Sequence, residues 1–194
     1  FALGFALTYM FGYEDEAPVV ASENATTERL VEEETTGNVP ASLQDETIIS
    51  PIVGSAVALA DVNDPVFSSG AMGQGIAIKP TEGVVYAPAD AEVTIAFATG
   101  HAYGLKTANG AEILIHVGID TVSMNGEGFD QKVAQGDKVK AGDVLGTFDA
   151  AKIAAAGLED TTMVIVTNTA DFASVTPVAT GSVAKGDAII EFKA

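Results

Sequence analysis

His101-Ala-Tyr-Gly-Leu-Lys-Thr-Ala-Asn-Gly-Ala-Glu-Ile-Leu-Ile-His116 is the stretch whose reading decides the fold. Asn109-Gly110 inside it is the strongest short hairpin signal a sequence can carry. A two-residue turn there pairs Ala108 with Ala111, so that paired residue numbers sum to 219. His116 then lies opposite Tyr103, and His101 follows two residues along on the same face. Their Cβ atoms are about 6–8 Å apart in such a diagonal pair. Alternation points Ile113, Ile115 and Val117 toward a core and leaves Leu114 and His116 on the other face. A three-residue loop would make the sum 218. That register would put the two histidines on opposite faces.

Outward from this hairpin the pattern repeats. Short apolar runs are separated by Gly, Asn, Asp and Pro: Gly75–Ile78, Gly83–Tyr86, Glu92–Ala98, Ala111–Val117, Asp143–Phe148, Thr162–Thr167 and Ala188–Phe192. Runs rich in Val and Ile at this spacing predict an all-β fold, an antiparallel sandwich or barrel. Only Ala150–Ala156 reads as a helix, and a short one. A faint internal repeat links Gln135–Leu145 with Thr180–Ile190, each holding Val-x-x-Gly-Asp before an apolar strand. Gly permits φ > 0 and Asp bonds its own backbone, so the repeat reads as turn chemistry.

The composition excludes much. Among 194 residues, 27 Asp and Glu face 9 Lys and Arg, giving −18 at pH 7. Such a surface repels phosphate backbones, so no nucleic-acid partner is expected. There is no Cys, hence no disulfide framework, thiolate zinc site or thiol nucleophile. Two histidines cannot make a three-His metal site. The charge is uneven: residues 14–46 hold ten carboxylates and only Arg29 as a base, −9 in 33 residues. The 148 residues from Thr47 hold 17 acids and 8 Lys, again −9. Residues 14–46 also lack aromatics, and self-repulsion with little apolar surface predicts a disordered linker, with a short helix around residues 27–34 as the alternative. Before it, FALGFALTYMFGY (residues 1–13) is apolar and uncharged. About 20 residues are needed to cross a bilayer, so this reads either as the cut end of a transmembrane helix or as a short apolar anchor or core segment. The aromatics Tyr9, Phe11 and Tyr13 ahead of Glu14-Asp15-Glu16 fit a membrane-interface belt.

Two facing imidazoles admit several chemistries. A metal site needs three or four ligands, with Asp120 as a weak third. General acid–base catalysis is a second option. A third is nucleophilic catalysis, in which an imidazole nitrogen takes up a phosphoryl group.

Several strings narrow the choice: Ile76-Ala-Ile-Lys-Pro80, Val85-Tyr-Ala-Pro88, Thr99-Gly-His-Ala102, Glu112-Ile-Leu-Ile-His-Val-Gly-Ile-Asp-Thr-Val122, Gly126-Glu-Gly-Phe129 and Gly136-Asp-Lys-Val-Lys-Ala-Gly-Asp143. Together they resemble the glucose-type enzyme IIA domain of the bacterial phosphoenolpyruvate-dependent sugar phosphotransferase system, over roughly residues 51–193. The resemblance implies that His116 is phosphorylated on Nε2 by the histidine-containing phosphocarrier protein and passes the group to a cysteine of a IIB domain. It implies that His101 supports the phosphoryl oxygens, that Thr99 orients His101, and that Asp120 meets a basic side chain of the donor. Phe67, Val66, Phe97, Leu114 and Val122 fall where the family carries an apolar ring, Leu114 replacing an aromatic common there. No cofactor is implied.

Residues 1–13 look like the end of a membrane IIC transporter domain, which implies a IIA domain (residues 47–194) held at the cytoplasmic face of the cell membrane. The absent cysteine places the IIB domain elsewhere. A regulatory module that inhibits other transporters or kinases through the same face is the alternative. In that role a zinc ion is sometimes shared between the two histidines, here His101 and His116, and a partner carboxylate. A lysostaphin-type peptidase would need a third histidine, and a biotinyl or lipoyl carrier a lysine at the hairpin tip.

Overall fold

The computed structural model describes residues 43–194. The apolar stretch 1–13 and most of the acidic stretch 14–46 lie outside the described residues. The described chain forms fourteen strands: β1 (Glu46–Ile49), β2 (Gly54–Ala58), β3 (Gln74–Pro80), β4 (Val84–Tyr86), β5 (Ala91–Ala96), β6 (Ala102–Thr107), β7 (Glu112–Val117), β8 (Phe129–Gln131), β9 (Lys138–Val139), β10 (Val144–Phe148), β11 (Thr162–Val166), β12 (Ser174–Pro177), β13 (Gly181–Val183) and β14 (Ala188–Lys193). Two short helices, α1 (Pro65–Ser68) and α2 (Ala150–Ala155), interrupt them. Among the described residues, no helix is long and apolar enough to cross a membrane.

All pairings are antiparallel. One sheet has eight strands in the order β13-β2-β3-β11-β7-β6-β5-β9, and two have three, β1-β14-β12 and β4-β10-β8. Ile113, Ile115, Val117, Tyr103 and Leu105 of the large sheet pack with Ile190 and Phe192 of β14 and Leu145 and Phe148 of β10. This is the main core, a sandwich of the large sheet against the two small ones. A second cluster (Leu59, Val62, Phe67, Ala77, Ile119, Met163 and Ile165) covers part of the other face. β11 is consequently buried at all five positions, which is why Thr-Met-Val-Ile-Val shows no polar alternation.

The Val-x-x-Gly-Asp repeat is turn chemistry. Asp143 Oδ2 accepts from Lys140 N–H at 2.8 Å, and Asp187 Oδ2 accepts from Ala184 N–H at 2.8 Å. Asp137 makes the same bond to Ala134 N–H, a third copy. Each loop starts a strand by satisfying backbone donors locally.

Two expectations need correction. First, the folded body begins earlier than the charge pattern suggests. Glu46 opens β1, and Leu43 packs against the main core. Glu46 is a structural carboxylate: its Oε2 accepts from Thr107 Oγ1 at 2.7 Å, and burial raises its pKa. Second, the register of the β6–β7 hairpin sums to 218: Lys106 pairs with Glu112, Tyr103 with Ile115, and Ala102 with His116. The loop has three residues, closed by Thr107 N–H donating to Ala111 O at 2.9 Å and Gly110 N–H to Thr107 O at 3.1 Å. Gly110 has φ +92, whereas Asn109 is not in the left-handed region. A two-residue type I′ turn needs positive φ at both central residues. A turn followed by one left-handed residue makes the three-residue loop with a bulge.

This loop geometry is testable by chemical denaturation. Gly110→Val is expected to cost about 1–3 kcal/mol, because a β-branched residue is strained at positive φ. Asn109→Ala is expected to cost less than about 1 kcal/mol. Equal, large losses for both would instead indicate the two-residue turn.

Candidate functional site

The two histidines meet on the face of the large sheet away from the main core. His116 sits in β7, opposite Ala102 in β6 and Met163 in β11. Its neighbour Leu114 packs against the second apolar cluster. His101 lies one residue before β6, where the chain bends after Gly100 (φ +67). Strict alternation would send its side chain toward the main core, beside Val117. The bend overrides alternation while His101 O still accepts from Val117 N–H at 2.7 Å. The ring centroids of His101 and His116 end 5.0 Å apart at 79°. The two-residue turn predicts facing imidazoles as a regular diagonal pair. They face each other by a different route, through a shifted register and a bend at the strand end.

Each ring is held by one bond to Nδ1. At His116, Nδ1–H donates to Gly118 O at 2.8 Å. A carbonyl can only accept, so the proton is on Nδ1 and Nε2 of the neutral ring carries a lone pair. At His101, Nδ1 lies 2.5 Å from Thr99 Oγ1, a hydroxyl that can donate or accept.

The carbonyl of Gly118 owes its direction to a tight turn. Gly118 has φ +77, and a Cβ there would lie 2.4 Å from Thr121 Cγ2 and 2.7 Å from Glu159 O. Thr121 Oγ1 in turn donates to Val117 O at 2.5 Å, and Ile119 N–H to Glu159 O at 2.9 Å. Asp120 follows in the left-handed region at φ 58, exposed beside the site.

Aromatic rings flank both imidazoles. Phe67 lies 5.1 Å from His116 at 55°, and Phe97 lies 5.3 Å from His101 at 52°. Phe67 is 8% exposed, whereas Val66 (53%), Phe97 (42%) and Val122 (54%) are open apolar groups on surface segments. Leu114 is half-buried. Sequence reasoning missed Ile95, which is 47% exposed. A bulge between Val93 and Ile95 turns Ile95 onto Gly104, and Gly104 pairs with Leu114. Ile95 therefore shares the face of His116, and alternation along β5 could not show it. Asp64 was also missed. Asp64-Pro65 is a readable helix start, an N-cap followed by Pro at the first position.

Burial sets the charge state of the site. It pushes His101 down to about 4, with a smaller contribution from neighbouring His116. Burial also lowers His116, opposed by the Gly118 carbonyl and by the carboxylates of Asp64 and Asp120. Both rings are thus held neutral, so His116 Nε2 is available as a nucleophile. Among the described residues there is no cluster of three or more His, Asp or Glu able to hold a metal ion. The two imidazoles alone supply two ligands, short of a zinc site.

A pH dependence of stability follows. The unfolded chain takes up a proton on His101 near pH 6.5, but the folded chain does so only near 4. Stability from this group is full above pH 6.5 and falls as the pH drops toward 4. The loss is up to about 3 kcal/mol for the largely buried ring. Urea unfolding at pH 7 and pH 4.5 is expected to show this slope in the wild type and a shallower one in His101→Gln. Parallel slopes would mean that His101 is not the group responsible.

Known proteins are similar to this chain. The family model described as phosphoenolpyruvate-dependent sugar phosphotransferase system, EIIA 1, matches residues 46–172. A β-glucoside-specific EIIBCA component of the phosphotransferase system from Dickeya chrysanthemi is 45% identical over 184 residues, 94% of this chain and 28% of that protein. The chain thus spans less than a third of that relative. A glucose-specific EIIA component from Bacillus cereus is 49% identical over 125 residues, covering 64% of this chain and 76% of that one. Among solved structures, glucose permease IIA from Mycoplasma capricolum superposes with a TM-score of 0.72 at 35% identity, covering 76% of this chain and 96% of that one. With the matched residues embracing both histidines and the sheet that carries them, the chain belongs to the EIIA 1 family of the phosphoenolpyruvate-dependent sugar phosphotransferase system.

Proposed function

We propose that this chain carries phosphoryl groups for sugar uptake, taking them from the histidine-containing phosphocarrier protein and handing them to a cysteine of a IIB domain. The observation that carries this reading is the neutral His116, with its Nδ1 proton bound by Gly118 O and its Nε2 free beside His101. In the accepting step, His116 Nε2 attacks phosphorus as the N–P bond of the donor phosphohistidine breaks. The donor imidazole leaves with that electron pair. Such a transfer needs in-line placement and charge neutralisation more than covalent help. In the second step a IIB thiolate displaces His116 in the same sense.

The remaining residues have supporting roles. Thr99 orients His101 through Nδ1, which directs His101 Nε2–H toward the phosphoryl oxygens. The exposed Asp120 meets a basic side chain of the donor. Val66, Phe67, Phe97, Leu114 and Val122, joined by Ile95, form the apolar docking ring. Excluding water there protects the N–P bond from hydrolysis and strengthens local hydrogen bonds. The −9 from Thr47 onward repels a phosphoryl dianion at long range, so the donor has to bring positive charge. Residues 1–13 are the end of a IIC transporter domain and 14–42 an acidic tether, holding the IIA body at the cytoplasmic face of the membrane. The fused EIIBCA relative supports that arrangement, with IIC in cis.

Incubation with phosphoenolpyruvate, enzyme I and the phosphocarrier protein is expected to give an acid-labile, base-stable phosphate. His116→Gln abolishes the label. His101→Gln still accepts it but fails to pass it to IIB. Labelling that survives His116→Gln, or an unlabelled wild type, would reject the assignment.

A further inference from the structure

The segment before α1 is built around Asp64, a residue that the transfer scheme above does not use. Asp64 is extended (φ −147, ψ 120) and caps α1. Its Oδ1 accepts from Val66 N–H at 2.7 Å and Phe67 N–H at 3.2 Å. Its main-chain oxygen accepts from Ser68 N–H at 2.9 Å and from Ser68 Oγ at 2.7 Å. Four bonds thus converge on one residue, and they hold a helix of only four residues. A helix this short has no stability of its own. Its packing rests on Phe67, and Phe67 lies against the His116 ring.

We propose that Asp64 is a positioning residue for phosphoryl acceptance: its side-chain cap fixes α1 so that Phe67 stays against His116. It does not touch the reacting atoms. It acts through Phe67, which covers one flank of the imidazole and keeps water from that side. The inference rests on the proposed role of His116 as acceptor. The capping role is separable from the charge of Asp64, because Asn and Ser can also accept from the second and third helical N–H groups, whereas Ala cannot.

The test compares Asp64→Asn, Asp64→Ser and Asp64→Ala. Asn and Ala remove the same charge, so a difference between them reports the cap. Two readouts are taken on each protein. The first is the ring-current shift of the His116 Hδ2 and Hε1 protons, read by NMR without any donor. The second is the rate of His116 phosphorylation by phosphoramidate, a small donor that needs no protein docking. Asn and Ser are expected to keep the shifts and to stay within about twofold of the wild-type rate. Ala is expected to lose the shifts and to slow at least about fivefold, in line with the loss of a helix cap. Equal losses in Asn and Ala would overturn the proposal in favour of charge, and wild-type behaviour in Ala would overturn it outright. If Ala fails to fold, wild-type shifts and rates in Asn and Ser uphold the cap and their loss overturns it. A wild type that phosphoramidate leaves unmodified at His116 would reject the acceptor role, while the ring-current comparison would still decide whether Asp64 positions Phe67.

Discussion

The site depends on one hydrogen bond, from His116 Nδ1–H to the carbonyl of Gly118 at 2.8 Å. It determines which nitrogen of the imidazole is a nucleophile, because the bonded nitrogen keeps the proton and its partner keeps the lone pair. The surrounding structure serves to aim that carbonyl. Gly118 adopts a φ that favours glycine, packed so closely against Thr121 and Glu159 that no side chain fits. β7 delivers His116 from a strand whose other face is sealed by Ile113, Ile115 and Val117. The sheet places the ring, and the turn after it sets the tautomer.

Around this bond the chain assembles an environment that suits a labile phosphorylated ring. Both imidazoles are desolvated and held neutral. Phe67 and Phe97 flank them. Open apolar groups at Ile95, Val66, Val122 and Phe97 leave a surface that a partner can cover. Burying a polar ring is costly unless its hydrogen bonds are met. Here each Nδ1 has its partner within the chain, and the second nitrogen of each ring is left open. The arrangement is the same economy in both rings, using a backbone carbonyl for one and a hydroxyl for the other.

Much of the fold was readable because β-branched runs and Gly-Asp turns carry their own physics. All seven expected strands are present with small shifts at their ends, and Ala150–Ala155 is helical as the apolar stretch suggested. Six strands, β1, β2, β8, β9, β12 and β13, were not expected; β8, β9 and β13 have only two or three residues, too few to show a period. Registers proved harder. Asn-Gly fits two hairpin loops, and only the backbone at Asn109 decides between them. The closeness of His101 to His116 was inferred correctly, although its cause is the bend at Gly100, which no alternation rule contains. Ile95 was hidden by a bulge for the same reason. Charge alone does not show that Glu46 bonds Thr107, so the folded body starts before the point that the charge pattern marks. Asp64 was legible in principle through Asp-Pro, but a four-residue helix is too short for a periodic pattern to announce it.

The central claim is that the Gly118 carbonyl makes Nε2 of His116 the phosphoryl acceptor. The most direct measurement is a long-range proton–nitrogen NMR correlation on the phosphorylated, nitrogen-15-labelled protein. The account predicts phosphorus coupling on Nε2 of His116, with Nδ1 still protonated. Phosphorus on Nδ1 of His116, or on either nitrogen of His101, would contradict it.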